Sequence, residues 1–162
     1  MTTSTSDNLV KSYITPTDKS IAAIAKDLNE SAKGLSQSEL VNYVLSFVQG
    51  IPYSTDINST GQEDYWRFPI ETICDHTGDC EDKSFLFASI TEALGYHTAI
   101  VLYDDPIGNN GHMGVGVACN GVSGTYYDVG GIRYYYCETT DSGWKIGELP
   151  SGHNEAQVVP LG

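Results

Sequence analysis

Residues 78–96 read GDCEDKSFLFASITEALGY, and this stretch decides the fold. A glycine-containing turn runs directly into a helix predicted over Glu81–Leu94, and Gly95 is the residue that ends it. Apolar side chains cover most of the helix circumference, namely Phe85, Leu86, Phe87, Ala88, Ile90, Ala93 and Leu94. Because a helix that is apolar nearly all round is a buried one, this helix is predicted to lie at the centre of the domain.

Cys80 lies at the start of this helix, in the sequence Asp79-Cys80-Glu81-Asp82. At a helix N-terminus the helix dipole lowers a thiol pKa, and the unpaired backbone N–H groups can bind the oxyanion formed when a thiolate attacks a carbonyl. The position therefore favours a nucleophile, although a cysteine is more often a small buried apolar residue. The neighbouring acids raise the thiol pKa, so a nucleophilic Cys80 requires a basic partner.

Helices precede this stretch and strands follow it. The apolar spacing predicts a helix over residues 17–33, and the capping box of Ser36 and Glu39 begins a second one. Residues 51–79 lack periodicity, which predicts a long functional loop. After the central helix the period changes to two, and four strands are predicted in YHTAIVLY, HMGVGVAC, GTYYDV and IRYYYCETT. This order predicts an α+β domain, with the central helix packed on a small antiparallel sheet.

His112 opens the second predicted strand and is the candidate base. The same face of that strand continues with Gly114, Gly116 and Ala118, so another element can approach it closely. The alternative interpretation is a histidine that only caps the end of a loop.

Glu138 is the candidate acid that orients the imidazole of His112. If the two strands pair antiparallel with His112 opposite Glu138, small residues face large ones in the pairs Gly114–Tyr136, Gly116–Tyr134 and Ala118–Ile132. This register brings the carboxylate within reach of the imidazole, where it can fix the tautomer. Asp128 is the competing acid if TYYDV inserts between the two strands, and an exposed strand-end glutamate is the alternative for Glu138.

Three segments, GDCEDKSFLFASITEALGY, GHMGVGVA and YYYCETT, together resemble the transglutaminase-like superfamily, in its prokaryotic and especially archaeal branch. The resemblance covers about Val41–Thr140 and implies a papain-like, transglutaminase-like fold. Within a single domain it suggests a helical extension over residues 1–34 and a catalytic core over 35–162. It also implies the triad of Cys80 as nucleophile, His112 as base and Glu138 as orienting acid, where relatives more often have Asp.

The resemblance also suggests an oxyanion hole. The aromatic segment DYWRFP, residues 64–69, stands where relatives often supply a side chain to that site. It implies Trp66 as a donor, with Gln62 behind it, beside the backbone N–H of Cys80. A tryptophan among Tyr and Phe is also typical of simple packing.

The activity implied by the resemblance is cysteine-dependent acyl transfer through a thioester acyl-enzyme. Hydrolysis of a peptide or isopeptide amide bond is the favoured reaction, because the chain is a minimal core. A protein-glutamine transglutaminase, which passes the acyl group to an amine, is the alternative. A non-catalytic binding module on the same fold is an alternative of a different class.

No cofactor is predicted, although two metals are alternatives. Asp79-Cys80-Glu81 also resembles the bacterial calcium-dependent cysteine proteinases of the superfamily, which suggests Ca²⁺ at Asp79 and Glu81. Only a few oxygens can be named there, whereas Ca²⁺ takes six to eight. A structural zinc site would use residues whose spacing matches zinc motifs poorly, namely Cys74, His76, Cys80, His112, Cys119 and Cys137.

The composition limits the partners. The chain has 162 residues, with 8 Lys+Arg against 21 Asp+Glu and a net charge of −13, which argues against nucleic acid and anionic membrane surfaces as partners. No apolar run is long enough for a membrane segment. The acidic, lysine-poor composition slightly favours an extracellular or cell-surface protein, and a monomer is assumed. A peptide or protein amide substrate that is cationic or neutral is expected.

Overall fold

The computed structural model describes residues 5–55, 65–103, 111–151 and 155–162. Within these ranges the chain forms five helices, α1 (Thr5–Ser12), α2 (Lys19–Ser31), α3 (Gln37–Gln49), α4 (Pro69–Asp75) and α5 (Cys80–Ala93). It also forms five strands, β1 (Thr98–Tyr103), β2 (His112–Val117), β3 (Tyr126–Val129), β4 (Ile132–Cys137) and β5 (Ala156–Pro160). None of the helices in these ranges is both long and apolar enough to cross a membrane.

Helices α2, α3 and α5 confirm the three predicted helices to within two residues at each end. The capping box that begins α3 is formed in both directions. Ser36 Oγ accepts from the backbone N–H of Glu39 at 3.3 Å, and Glu39 Oε2 accepts from the backbone N–H of Ser36 at 2.9 Å. Gly95 follows α5 with φ of 91°, a left-handed conformation that favours glycine and ends the helix.

The sequence pattern does not predict α1, α4 or β5. Helix α4 lies inside residues 51–79, so the prediction of a continuous loop there is wrong for this part. Its seven residues are too few for a clear periodic signal, and its start depends on Pro69 in the first turn and on Glu71 Oε1, which accepts from the N–H of Phe68 at 3.0 Å. Strand β5 lies near the end of the chain and pairs antiparallel with β1, more than 50 residues before it.

Helix α5 lies at the centre of the domain, as predicted. All six residues over 85–90 are fully buried, and the helix packs against β1 and β2 as well as against α2, α3 and α4. Val10 of α1 and Ile21 and Leu28 of α2 belong to the same hydrophobic cluster as the α5 side chains. The N-terminal helices therefore pack directly on the core and help to fix α5 in place.

The sheet is antiparallel and has the strand order β3-β4-β2-β1-β5. Strand β4 lies directly beside β2, so the segment that carries Asp128 does not insert between them. The predicted register is wrong by two residues, because Gly116 lies opposite Tyr136 rather than opposite Tyr134. A shift of two keeps the same residues on the same face, since side chains alternate with a period of two.

The tyrosines of β4 nevertheless cover the glycines of β2 in the predicted pairs. A Cβ added at Gly114 would come closer than 3.0 Å to ring atoms of Tyr136, and one at Gly116 would come equally close to Tyr134. The side chains thus reach diagonally across the two strands. Glycine is required at both positions because the neighbouring ring or Cβ occupies the space of a side chain.

Gly114→Ala is expected to lower the free energy of unfolding by about 1–3 kcal/mol, because the new methyl group overlaps the ring of Tyr136. Urea denaturation measures the change. Gly50→Ala is the matched control, since a Cβ there would make only ordinary contacts at 3.5 Å. A Gly114→Ala protein as stable as the wild type would contradict the close approach of Tyr136.

Candidate active site

Cys80 is the first residue of α5 and is 8% exposed. The turn before it is fixed by a reciprocal cap. Asp79 Oδ1 accepts from the backbone N–H of Asp82 at 3.1 Å, and Asp82 Oδ2 accepts from the backbone N–H of Asp79 at 3.4 Å. The placement of Cys80 at a capped helix start therefore agrees with the sequence-based prediction.

A buried ion pair holds this turn against the segment before α4. Arg67 is 1% exposed, and its Nη1 donates to Asp82 Oδ2 at 2.9 Å while its backbone N–H donates to Asp82 Oδ1 at 2.8 Å. Arg67 Nε also donates to Asp75 Oδ2 at 2.9 Å, which ties in the end of α4. The local sequence does not predict this pair, because Asp82 is one of two acids in the first turn of α5, where acids are common in helices generally.

His112 and Glu138 form a second polar pair. His112 Nε2 lies 2.9 Å from Glu138 Oε2 and 3.1 Å from Oε1. Glu138 is 2% exposed and also accepts from the hydroxyl of Tyr136 at 2.8 Å and from that of Thr140 at 2.7 Å. Neither Tyr136 nor Thr140 is singled out by the sequence as a partner of the carboxylate. Together these donors fix Glu138 in a single orientation toward the imidazole.

These contacts also keep Glu138 ionised. Burial alone would raise the pKa of its carboxyl. The hydrogen bond from His112, the charge of His112 and the hydroxyl donors lower this pKa by more than burial raises it. The net effect is a Glu138 pKa below its ordinary value. An ionised carboxylate on Nε2 holds the imidazole in the tautomer whose Nδ1 can accept a proton.

Helix α5 is attached to the strand that carries His112. Ser84 lies one turn after Cys80, and its Oγ donates to the backbone carbonyl of Met113 at 3.2 Å. The same hydroxyl lies 3.3 Å from Thr139 Oγ1, in the segment that follows Glu138. The backbone N–H of Met113 also forms a hydrogen bond with the Cys80 thiol, which lowers the pKa of the thiol. Cys80 thus lies beside the residue that follows His112.

The thiol of Cys80 is nevertheless harder to ionise than an ordinary one. Burial raises its pKa most, and the charge of Glu81 adds to this, as does the hydrogen bond from Cys80 Sγ to Glu81 Oε2 at 3.2 Å. These influences outweigh the Met113 N–H, so the net pKa of the thiol is raised. This direction agrees with the predicted effect of the neighbouring acids, while the separate contribution of the helix start stays a prediction. A nucleophilic Cys80 therefore needs a base.

Glu81→Gln is expected to speed alkylation of Cys80 by iodoacetamide about 3- to 10-fold at neutral pH. Removing the carboxylate lowers the thiol pKa, and only the thiolate reacts. Peptide mapping by mass spectrometry gives the rate at Cys80 separately from the other cysteines. Glu30→Gln, an exposed change on α2, is the charge-matched control and should leave the rate unchanged. Equal rates in the two variants would contradict the contact between Sγ and Glu81.

The predicted oxyanion side chains receive less support from the geometry. The Trp66 ring packs edge-on against Tyr13 and Phe85, with centroid distances of 5.4 Å in both cases. Its packing role is thus established, while its role as a donor stays a prediction. Gln62 lies outside the described residues. The backbone N–H groups at the start of α5 lie beside Cys80, and their role as oxyanion donors also stays a prediction.

The two metal alternatives require side chains that lie close enough together to bind an ion. All four cysteines are free thiols, and no group of three or more His, Cys, Asp or Glu side chains that could hold a metal occurs in the described ranges. The described residues thus give the zinc hypothesis no site. For Ca²⁺ they offer the carboxylates of Asp79 and Glu81, which alone do not fit an ion that takes six to eight oxygens.

Known structures share this arrangement of elements. LapG from Legionella pneumophila in an EGTA-treated form aligns with 86% of the chain and 73% of its own length, at 21% identity and a TM-score of 0.56. A calcium-bound form of LapG aligns with 79% of the chain and 74% of its own length, at 23% identity and the same TM-score of 0.56. A candidate cysteine protease from Cytophaga hutchinsonii aligns with 88% of the chain and 52% of its own length, at 11% identity and a TM-score of 0.51.

The chain has the transglutaminase-like, papain-like fold. The likeness confirms the α+β architecture expected from GDCEDKSFLFASITEALGY and the strands that follow it. No protein-family model and no curated protein matches the sequence. At these identities the likeness establishes the fold, which is one that carries protease-type enzymes.

Proposed function

We propose that this protein is a cysteine peptidase or isopeptidase that hydrolyses an amide bond through a thioester acyl-enzyme. The observation that carries the proposal is the contact of 2.9 Å between His112 Nε2 and the buried Glu138 Oε2. His112 opens β2, and the next residue of that strand, Met113, acts through its backbone N–H on the Cys80 thiol. This arrangement supports Cys80 as the proposed nucleophile, His112 as the proposed base and Glu138 as the proposed orienting acid. A protein or peptide is the proposed substrate.

The first half-reaction forms the thioester. Because Glu138 engages Nε2, Nδ1 of His112 is the nitrogen that takes the proton from the Cys80 thiol. Sγ then attacks the amide carbonyl carbon, and the oxyanion is stabilised by backbone N–H groups at the start of α5. As the C–N bond breaks, His112 returns the proton to the leaving amine. The products are a free amine and an acyl group on Cys80.

The second half-reaction releases the acid. His112 takes a proton from a water molecule, and the resulting hydroxide oxygen attacks the thioester carbonyl. The C–S bond breaks, the carboxylic acid leaves, and His112 returns its proton to Sγ. Glu138 stays ionised throughout and stabilises the imidazolium that forms twice in the cycle. The raised pKa of Cys80 makes this proton transfer part of the reaction rather than of the resting state.

A library of quenched fluorescent peptides and branched isopeptides tests the proposal. Wild-type protein is expected to cleave a subset of the library, whereas Cys80→Ala should cleave none while keeping the wild-type circular dichroism spectrum. Cleavage by Cys80→Ala would overturn the assignment of the nucleophile. Tight binding of peptides without cleavage by either protein would favour the non-catalytic binding module.

Water and an amine are distinguished by a competition experiment. The protein is incubated with a glutamine-containing peptide and a labelled primary amine, and the products are separated by mass. Hydrolysis predicts free acid and no labelled peptide. Incorporation of the amine without free acid would instead establish the protein-glutamine transglutaminase, the second candidate function.

Calcium is the alternative cofactor because one of the solved neighbours is a calcium-bound form of LapG. Ca²⁺ would be held by Asp79 and Glu81 together with oxygens beyond these two, and its charge would oppose the effect of the acids on Cys80. Calorimetric titration of EGTA-treated protein measures this directly. Binding that is lost in Asp79→Asn establishes a calcium site, and an absence of binding heat leaves the mechanism free of metal.

A further inference from the structure

A cavity of about 390 Å³ lies beside His112 and is lined by Tyr53, His112, Thr140 and Asp141. Its size falls in the range of sites that bind small ligands or side chains. Because His112 is one of its lining residues, the cavity adjoins the proposed active site. Its lining combines the phenol of Tyr53, the imidazole of His112, the hydroxyl of Thr140 and the carboxylate of Asp141.

The wall formed by Tyr53 is fixed to the nucleophile turn. Tyr53 forms a bridge with Gly78, the N–H of Gly78 donates to the carbonyl of Pro52 at 3.3 Å, and the N–H of Ser54 donates to the carbonyl of Gly78 at 3.1 Å. Gly78 is two residues before Cys80. The side chain of Tyr53 is 52% exposed, so its ring offers surface to a ligand at a set position relative to Cys80.

The part of the wall formed by Thr140 and Asp141 is fixed to Glu138. The hydroxyl and the backbone N–H of Thr140 donate to Glu138 Oε1 at 2.7 and 3.3 Å, which places Asp141 relative to His112. The carboxylate of Asp141 accepts from the N–H of Ser142 at 2.8 Å, so the turn itself holds its orientation. Asp141 is exposed.

A buried lysine connects the two segments that carry these walls. Lys83 of α5 has no exposed surface, and its Nζ donates to the carbonyls of Ile51 at 2.7 Å, Gln49 at 3.2 Å and Thr140 at 3.5 Å. Ile51 precedes the Tyr53 wall, and Thr140 belongs to the Asp141 wall. These carbonyls take the ammonium hydrogens, so Lys83 makes its hydrogen bonds to the backbone on both sides of the cavity. Burial lowers the pKa of Lys83, and the charge of Asp141 acts on it in the opposite direction. The exposed Asp141 carboxylate keeps its hydrogen-bonding capacity toward a ligand.

We propose that this cavity is a binding subsite for a basic side chain, lysine or arginine, of the substrate. The inference rests on the proposed function and names the class of substrate for that site. The Asp141 carboxylate attracts the cationic head, and the Tyr53 ring contacts the apolar stem or the face of a guanidinium. The net charge of −13 attracts such a ligand from a distance. An acidic side chain would be repelled by Asp141.

The test compares labelled alanine peptides that carry lysine, arginine, norleucine or glutamate at each position in turn. Binding to Cys80→Ala is measured by fluorescence anisotropy, so no turnover is needed. Peptides with a basic residue at one position are expected to bind about three- to tenfold more tightly than the norleucine peptide. Asp141→Asn in the same background should remove this preference and leave the affinity for the norleucine peptide unchanged.

Asp128→Asn is the matched control, because it removes the same charge from an exposed position on β3, at the far edge of the sheet. It should keep the preference for basic peptides. Equal binding of lysine and norleucine peptides, or a preference that survives Asp141→Asn, would overturn the subsite. If the preference is present while the wild type cleaves none of the peptides, the subsite stands and the proposed hydrolysis is what fails.

Discussion

His112→Ala is expected to lower kcat/KM by about 10²–10⁴-fold on the peptide that the wild type cleaves fastest. The Cys80 thiol has a raised pKa, because it is buried and lies against Glu81, so little thiolate forms without a base. The loss should appear in kcat, since the imidazole acts on the reacting protons rather than on substrate binding. Initial rates over a range of substrate concentrations separate kcat from KM.

His97→Ala is the control for the His112 variant, because His97 is exposed in the loop before β1. It should leave kcat/KM unchanged. Full activity of His112→Ala would exclude the proposed base.

Glu138→Gln is expected to lower kcat by orders of magnitude, since the amide no longer stabilises an imidazolium. The change should keep much of the local packing.

Arg67→Met is expected to lower the free energy of unfolding by about 3–5 kcal/mol, the largest stability effect predicted for this chain. The change leaves Asp82, which has no exposed surface, without the cation that balances its charge. Asp82 also caps α5, so the variant should lower activity as well as stability. Urea denaturation followed by circular dichroism measures the difference.

Two further variants make the Arg67 prediction specific. Arg133→Met removes an exposed arginine that lies over the ring of Tyr126, and it should cost no more than about 1 kcal/mol. Adding Asp82→Asn to Arg67→Met should recover part of the lost stability, because no buried charge is then left unpaired. A double variant that loses the sum of both single effects would contradict the ion pair.

The local pattern of the sequence was sufficient to predict the central helix and strands β2 and β4. A run of apolar residues between a glycine turn and Gly95 predicts α5, and alternation predicts β2 and β4. The pairing of glycines with tyrosines predicts which side chains meet. The register of the paired Cα positions cannot be predicted from this pattern. A shift of two residues leaves every side chain on the same face, so both registers fit the same alternation.

Contacts between distant segments could not be predicted in the same way. Arg67 reaches Asp82 across 15 residues, and Lys83 reaches Gln49 and Ile51 across more than 30. No periodicity encodes such hydrogen bonds, which depend on how the packed elements meet. The pKa of Cys80 likewise depends on the whole fold, because its largest cause is burial, which the local sequence does not show.

Acetyl transfer from p-nitrophenyl acetate tests the central claim most directly. The reaction is quenched in acid during turnover, and the acetylated peptide is located by mass spectrometry. The mechanism predicts an acetyl group on Cys80 in the wild type, none at that position in Cys80→Ala, and acetylation slowed about 10²–10⁴-fold in His112→Ala. Acetylation at another residue, or an equal rate at Cys80 without His112, would contradict it.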